Sequence, residues 1–221
     1  GEFFHREARR ILGDLDASVL GTQSIAEGRS GLLRVGFTGT SAFTQLSRLS
    51  HVVRSTLPGI VLEVHADLLT PAQTERLLDG RLDLGVLRGP VSSAGIATRN
   101  LVHEPLVLAL PTDHRLAKAA SLQVEDVSVD DFVAYADPHS AVNEAMATAC
   151  RRAGFSPSIS HRAPGTSALL ALVAADLGVA LVPESVRSMQ LQGVTFRDVA
   201  GAGTIDLSLA WRAEAPTTLV S

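Results

Sequence analysis

Small hydroxyl side chains stand where three predicted helices begin, and their types and spacing suggest binding chemistry. They are Thr38, Thr40 and Ser41 after an apolar run, Thr70 before a proline, and Thr166 and Ser167 after a Pro-Gly pair. A helix N-terminus presents unpaired N–H groups and the positive end of the helix dipole, and a hydroxyl adds one more donor. The pattern therefore favours a small anion as ligand, although the same residues could serve only as helix caps.

One arginine could strengthen such a site. Arg88 follows the apolar run 82–87, so its guanidinium would lie at the carboxyl end of a strand. There it could form a bidentate pair with a carboxylate. The alternative is an arginine that binds Asp67 or Glu104 of the same chain.

The other polar residues give no catalytic or metal-binding pattern. His139 and Ser140 lie on the turn after a predicted strand and could add a donor to the site, although a loop histidine is more often only solvated. The seven histidines include no i, i+4 pair and no cysteine partner at metal-binding spacing. The sequence also lacks a Gly-x-Ser-x-Gly elbow, a Walker loop and a Cys/His dyad. We therefore predict no metal, no cofactor and no enzymatic activity.

Composition is that of an ordinary globular protein. The 221 residues are 46% hydrophobic and 19% charged, which allows one large domain or two small ones. The formal charge of −4 and the lack of a basic run argue against nucleic-acid binding by these residues themselves. No apolar run could cross a bilayer, the N-terminus lacks a signal-peptide core, and the one cysteine, Cys150, cannot form an internal disulfide. These features predict a cytoplasmic protein without membrane contact.

Strand and helix patterns alternate along the chain, which predicts an α/β fold with parallel sheets. Predicted strands cover 32–37, 60–66, 82–87, 96–102, 106–110, 132–136, 159–162, 178–182, 194–199 and 205–211. Predicted helices cover 41–53, 70–80, 143–152 and 167–176, and they fall between the strands of each half.

A further helix is predicted over residues 2–25. Its heptad positions are Phe4, Ala8, Ile11, Leu15, Ser18, Thr22 and Ile25. Because glycines at 28 and 31 interrupt the pattern, this helix should form a separate arm whose apolar stripe pairs with another chain. The alternative is a helix that folds back on its own domain.

The ordered set of motifs resembles the effector-binding region of LysR-type transcriptional regulators. The matching stretches are LLRVGFTGT at 32–40, LPGIVLEV at 57–64, LLDGRLDLGVLRGP at 77–90, LPTDHRLA at 110–117 and LVAADLGVALVPES at 172–185. The resemblance implies two Rossmann-like subdomains joined by crossover strands, as in type 2 periplasmic binding proteins, after a linker helix. The expected boundaries are 1–27 for the linker and dimerisation helix, 31–111 with 200–221 for subdomain I, and 112–199 for subdomain II.

The same resemblance implies a sensing function. A small effector would bind between the subdomains, and DNA would be bound by an N-terminal winged helix-turn-helix absent from this chain. Homodimers or homotetramers would form. The stretch 68–88 is similar to the branch that senses muconate, benzoate and related acids, in which residues matching Thr40, Thr70 and Arg88 contact the ligand carboxylates. The alternatives are a solute-binding protein for uptake, which would need a secretory signal or lipid anchor, and an enzyme of the same architecture.

Overall fold

The computed structural model describes residues 2–26, 31–91 and 93–213. Within them lie five α-helices, α1 Glu2–Ala26, α2 Ser41–Thr56, α3 Thr70–Leu78, α4 Ala141–Arg152 and α5 Thr166–Ala174. The nine strands are β1 Gly31–Phe37, β2 Ile60–His65, β3 Leu84–Arg88, β4 Ile96–Pro111, β5 Asp131–Tyr135, β6 Ser158–Ala163, β7 Ala180–Pro183, β8 Val194–Arg197 and β9 Thr204–Arg212. Short 3-10 helices cover Val124–Val127 and Glu184–Met189. This element order confirms the α/β class.

The described residues divide into two compact units. The first lies within Gly1–Leu87, Val91–Leu101 and Ser208–Ser221, and the second within Arg88–Pro90 and Val102–Leu207. Residues 102–111 and 200–207, which the sequence analysis assigned to subdomain I, therefore fall in the second unit. The reason is strand pairing, because β4 pairs with β7 from Leu106 and with β8 from Leu108. The chain crosses between the units on β3, β4 and β9.

In the first unit, a parallel sheet brings the ends of β1, β2 and β3 to one edge. Strand β1 pairs with β2 from Gly31↔Ile60 to Gly36↔His65, and with β3 from Val35↔Leu84 to Phe37↔Val86. Burial on both faces explains the near-continuous apolar runs of β1 and β3. Because the strands are parallel, the loops that follow them leave from the same edge of the sheet.

A buried glutamine fixes α3 to this sheet. Gln73 is fully buried, and its Nε2 donates to the carbonyl oxygens of Leu68 at 2.8 Å and Val86 at 3.2 Å. Its Oε1 lies over Gly36 and Gly85, where an added Cβ would come within 2.9 Å and 2.7 Å of it. Two glycines at matching positions of β1 and β3 thus make room for one amide.

Helix α1 confirms the predicted N-terminal helix and packs with one side on its own unit. Gly13 is buried, and Arg9 Nη1 donates to Glu75 Oε1 at 2.9 Å. The apolar stripe lies on another side, and Phe4, Ile11, Leu15 and Val19 remain 50–78% exposed. The side chains at the heptad positions Ser18, Thr22 and Ile25 lie outside those that the structure describes. Packing on its own unit and an exposed apolar stripe thus coexist on one helix.

The second unit combines antiparallel and parallel strands. Strand β4 pairs antiparallel with β7 and β8, and β5 pairs parallel with β6. Its core includes the fully buried side chains of Leu108, Phe132 and Leu170. Cys150 is also fully buried, and burial raises the pKa of its thiol to about 11, so the thiol is protonated at neutral pH.

One strand prediction is wrong. The sequence predicted two strands, 96–102 and 106–110, separated at Glu104-Pro105, whereas β4 continues through both residues. Pro105 lies one residue before the pairing with β7 begins at Leu106, so the ladder with β7 needs no N–H from it.

The Gly85–Gln73 contact yields a stability prediction. Replacing Gly85 with Ala places a methyl group 2.7 Å from Gln73 Oε1 and 3.3 Å from Leu77 Cδ1. We expect the free energy of unfolding, measured with urea, to fall by about 1–3 kcal/mol because the core there is overpacked. In a Gln73→Ala background the cost should shrink by about 1 kcal/mol. Equal costs in both backgrounds would show that Gln73 does not determine the need for glycine.

Candidate functional site

The loop after β1 collects three of the predicted site residues. Thr38, Thr40 and Ser41 are 7%, 2% and 0% exposed. The loop is held by its backbone, since Thr38 N–H donates to Val86 O at 3.0 Å and Ser41 N–H donates to Thr38 O at 2.9 Å. The structure thus brings the three hydroxyls together at the start of α2.

Ser41 is the residue in this loop whose environment points to a ligand. Its Oγ is buried and has no hydrogen-bond partner among the described residues. It stands at the first position of a 16-residue helix that has no acidic residue in its first turn. A buried hydroxyl without a partner is costly, and the N-terminus beside it favours negative charge. The arrangement is therefore suited to an anion that accepts hydrogen bonds.

Helix capping does not account for Thr40. Thr40 occupies the N-cap position of α2, but its side chain makes no capping hydrogen bond, and its backbone is in the right-handed helical region rather than the extended one. The alternative that Thr40 only caps the helix is therefore not what the structure shows.

Thr70 is the first residue of α3, directly after the neighbouring loop. Leu69 occupies the N-cap of α3 and Thr70 is the first helical residue, so the alternative that Thr70 serves only as a helix cap is wrong. Pro71 lies in the first turn of α3, where no intrahelical hydrogen bond needs its missing N–H. Leu68 N–H donates to Phe37 O at 3.0 Å, which joins this loop to the end of β1. Thr70 is half-buried.

Arg88 lies in the second unit and has an internal counter-charge. Arg88 as a whole is 4% exposed, and its guanidinium forms an ion pair with the buried carboxylate of Glu104. Arg88 Nη2 also donates to Ser185 Oγ at 3.1 Å, and Ser185 N–H donates to the second oxygen of Glu104 at 2.9 Å. The pairing with Glu104 that the sequence left open as an alternative is therefore present, and ligand contact by Arg88 stays a prediction.

Thr166 is the buried hydroxyl at the start of α5. It is 4% exposed, and its Oγ1 lies 2.9 Å from the hydroxyl of Tyr135 at the end of β5. Gly165 occupies the N-cap, whereas Ser167 is exposed on the first turn. The structure thus joins Thr166 to Tyr135 and leaves Ser167 at the surface of the unit.

The loop between β5 and α4 carries the last two predicted residues. Ser140 is the N-cap of α4 and is 2% exposed, whereas His139 is exposed and its backbone N–H donates to Asp137 Oδ1 at 2.8 Å. Asn143 fixes this loop, because its amide accepts from Tyr135 N–H and donates to the carbonyl oxygens of Tyr135 and Asp137 at 2.8–3.0 Å.

Sequence reasoning missed Tyr135, Asn143 and Ser185. Tyr135 is the only tyrosine of the chain and ends a predicted strand, which is a usable signal. Asn143 and Ser185 carry no such signal, because their roles depend on loops that meet only after folding. Among the described residues, no group of His, Cys, Asp and Glu could hold a metal ion.

Two α/β units joined by crossing strands, each with buried hydroxyls at helix N-termini, define the class of periplasmic-binding-protein-like domains. The chain belongs to the LysR substrate binding domain family, which matches residues 26–220. This confirms the resemblance found in the sequence. It is the effector-binding region of a LysR-type transcriptional regulator.

Individual relatives agree with this assignment. The chain is 28% identical to the transcriptional regulator AlsR of Bacillus subtilis, over 96% of this chain and 69% of AlsR. It is 30% identical to the transcriptional regulator BenM of Acinetobacter baylyi, over 89% of this chain and 65% of BenM. The BenM effector-binding domain with its effector benzoate superposes with a TM-score of 0.70 at 28% identity, covering 86% of each chain.

These relatives are transcriptional regulators and not enzymes. Among the described residues, no helix is long and apolar enough to pass through a bilayer.

The Arg88–Glu104 pair yields the second prediction. Glu104→Gln keeps the shape but leaves the buried guanidinium without a counter-charge, so urea unfolding should show a loss of about 3 kcal/mol. Replacing both partners at once, Arg88→Met with Glu104→Leu, should cost less than Glu104→Gln alone, because no buried charge is left over. A double variant as unstable as the sum of both single variants would contradict this account.

Proposed function

We propose that this domain binds a small organic carboxylate, with aromatic acids among the candidates, at the N-terminus of α2. The buried Ser41 Oγ without a partner carries the proposal, because a ligand carboxylate would supply the acceptor that the fold does not. Thr38 and Thr40 lie in the same buried loop, and Thr70 begins the neighbouring helix. These four residues form the proposed contacts from the first unit.

A carboxylate suits this loop for electrostatic reasons. The first turn of an α-helix presents N–H groups without intrahelical acceptors and the positive end of the dipole, which favour a negative group by about 0.3–1 kcal/mol when exposed and up to about 2 kcal/mol when partly buried. Hydrogen bonds to a charged acceptor add about 1.5–3 kcal/mol each. Hydroxyl and backbone donors can thus bind an anion without a dedicated basic side chain.

The second unit contributes residues of the same kinds. We assign Thr166, Ser167, His139 and Ser140 to effector binding, because all lie at or beside the N-termini of α4 and α5. We also assign Arg88, although its charge is already balanced. Since Glu104 occupies one of its nitrogens, a ligand would have to share or displace that carboxylate.

The relatives support the class of effector. BenM has been determined with its effector benzoate, and we propose a related acid for this chain. We further propose that ligand binding shifts the populations of two conformations and thereby changes how the full regulator holds DNA. We propose no catalytic role, no cofactor and a cytoplasmic location, in keeping with relatives that are DNA-binding regulators. Solute uptake is not favoured, because the relatives are regulators.

The third prediction tests the ligand. Calorimetric titration with benzoate, muconate and aliphatic acids should detect binding, and Ser41→Ala should weaken it about tenfold through loss of a charge-assisted hydrogen bond. The melting temperature of ligand-free Ser41→Ala should hold or rise, because an unpaired buried hydroxyl is removed.

Ser47→Ala provides the matched control, since Ser47 is exposed on the same helix. It should bind like the unchanged protein. No heat from any acid with folded protein, or equal affinity for Ser41→Ala, would disprove the proposed site.

The fourth prediction concerns self-association. We propose that the α1 stripe pairs with a second copy, as heptad stripes do. Ile11→Asp places a charge at a position that is 57% exposed on α1 and should convert dimers into monomers in sedimentation velocity. Val129→Asp is the control, because Val129 is 83% exposed in the second unit. Dimers that persist in Ile11→Asp would exclude the stripe as the contact.

A further inference from the structure

Helix α1 packs on the turn at 79–81 that ends α3, and we call this contact the seat of α1. A Cβ added to Gly13 would lie 3.4 Å from the carbonyl oxygen of Asp79 and 3.6 Å from that of Gly80. These are ordinary contact distances, so a methyl group fits, whereas the further atoms of a longer side chain would have to find room beside this backbone. The backbone of α1 therefore lies directly against the turn at 79–81.

Ion pairs surround this contact. Glu75 Oε1 on α3 accepts from Arg9 Nη1 at 2.9 Å and from Arg81 Nη2 at 3.1 Å. The buried carboxylate of Asp79 accepts from Arg81 Nε at 2.8 Å. A backbone contact at Gly13 and an ion pair at Arg9 thus both connect α1 with the C-terminal half of α3 and the turn after it.

The other half of α3 is bonded to the loops of the proposed effector site. Gln73 Nε2 donates to Leu68 O, and Leu68 N–H donates to Phe37 O at the end of β1. Val86 O accepts both from Gln73 Nε2 and from Thr38 N–H. The Thr38–Ser41 loop and the turn under α1 are therefore connected through one nine-residue helix, entirely within the first unit.

We propose that α3 couples the effector site to α1. In this arrangement, a ligand that orders the Thr38–Ser41 loop steadies Gln73 and α3, and α3 steadies the seat of α1. The link between the ligand and the Thr38–Ser41 loop, the effector half of the coupling, rests on the proposed function. The link from that loop through α3 to α1, the mechanical half, does not. Because binding couplings are reciprocal, displacing α1 must loosen the site loop, and it must weaken effector binding by the same factor by which effector favours the seated helix.

Two substitutions at one position separate seated from displaced α1. Gly13→Ala adds only the methyl group that the contact admits and favours the helix, so α1 should stay seated. Gly13→Leu places further atoms beside the Asp79 carbonyl oxygen and should displace α1. Arg9→Glu, which faces Glu75, is a second displacing variant that leaves the packing at Gly13 unchanged.

Hydrogen–deuterium exchange of the ligand-free chain tests the mechanical half. Relative to Gly13→Ala, both displacing variants should speed exchange in α1, and also at Leu68 and Gln73, by about threefold or more. Exchange in α4 of the second unit should not change. Faster exchange in α1 with no change at Leu68 and Gln73 would overturn the coupling. Unchanged exchange in α1 would overturn the seat itself.

Benzoate titration tests the effector half. If the unchanged chain binds benzoate, Gly13→Leu should weaken binding by about threefold or more while Gly13→Ala does not. Equal affinities would overturn the coupling and leave the proposed function intact. If no acid binds the unchanged chain, the proposed function fails, and the exchange experiment still decides whether α3 links α1 to the loop.

Discussion

The first unit depends on one buried amide. Gln73 joins α3 to the carbonyl oxygens of Leu68 and Val86, so it connects the loop before α3 with the strand β3. The backbone accepts both donor hydrogens of this amide, whereas its Oε1, which lies over Gly36 and Gly85, has no hydrogen-bond partner among the described residues. The two glycines leave room for it, because any Cβ at Gly36 or Gly85 would meet the amide oxygen. Val86 O also accepts from Thr38 N–H, so one carbonyl oxygen connects this amide with the loop of the proposed site.

Charge is arranged differently in the two units. In the second unit, the buried guanidinium of Arg88 is compensated by Glu104, which uses its other oxygen to accept from Ser185 N–H. Because its two charges are opposite, such a pair produces little electrostatic field outside itself. Its main effect is on the geometry of β3, β4 and the 3-10 helix Glu184–Met189. In the first unit, the donors near Ser41 are neutral hydroxyls and backbone groups. Selectivity for an anion would therefore come from dipoles and not from an excess positive charge.

Local patterns predicted the elements well, and their failures have physical causes. The apolar runs located β1, α2, β2 and α4, because the periodic burial of a strand or helix is visible in residues close together in the sequence. The strand was predicted to be interrupted at Glu104-Pro105 because proline has no N–H to donate. The missing N–H matters only where a neighbouring strand pairs with that residue, and such pairing depends on residues far away in the sequence. The partner of Thr166 could not be foreseen for the same reason, because Tyr135 lies 31 residues away in sequence. Thr40 was found by its position, but its lack of a capping bond is visible only in the structure.

Helix α1 shows how a single element can meet two demands. A heptad stripe requires apolar side chains on one side, whereas contact with α3 requires a small residue and compatible charges on the other. Glycine inside a helix costs about 1 kcal/mol relative to alanine. The approach of Gly13 to Asp79 and Gly80 favours a small residue there, and the methyl group of alanine would also fit. Since the stripe and the seat lie on different sides, α1 can bind a second copy without leaving its own unit. Under the proposed coupling, a helix held in this way transmits displacement in both directions, whereas a free arm would transmit none.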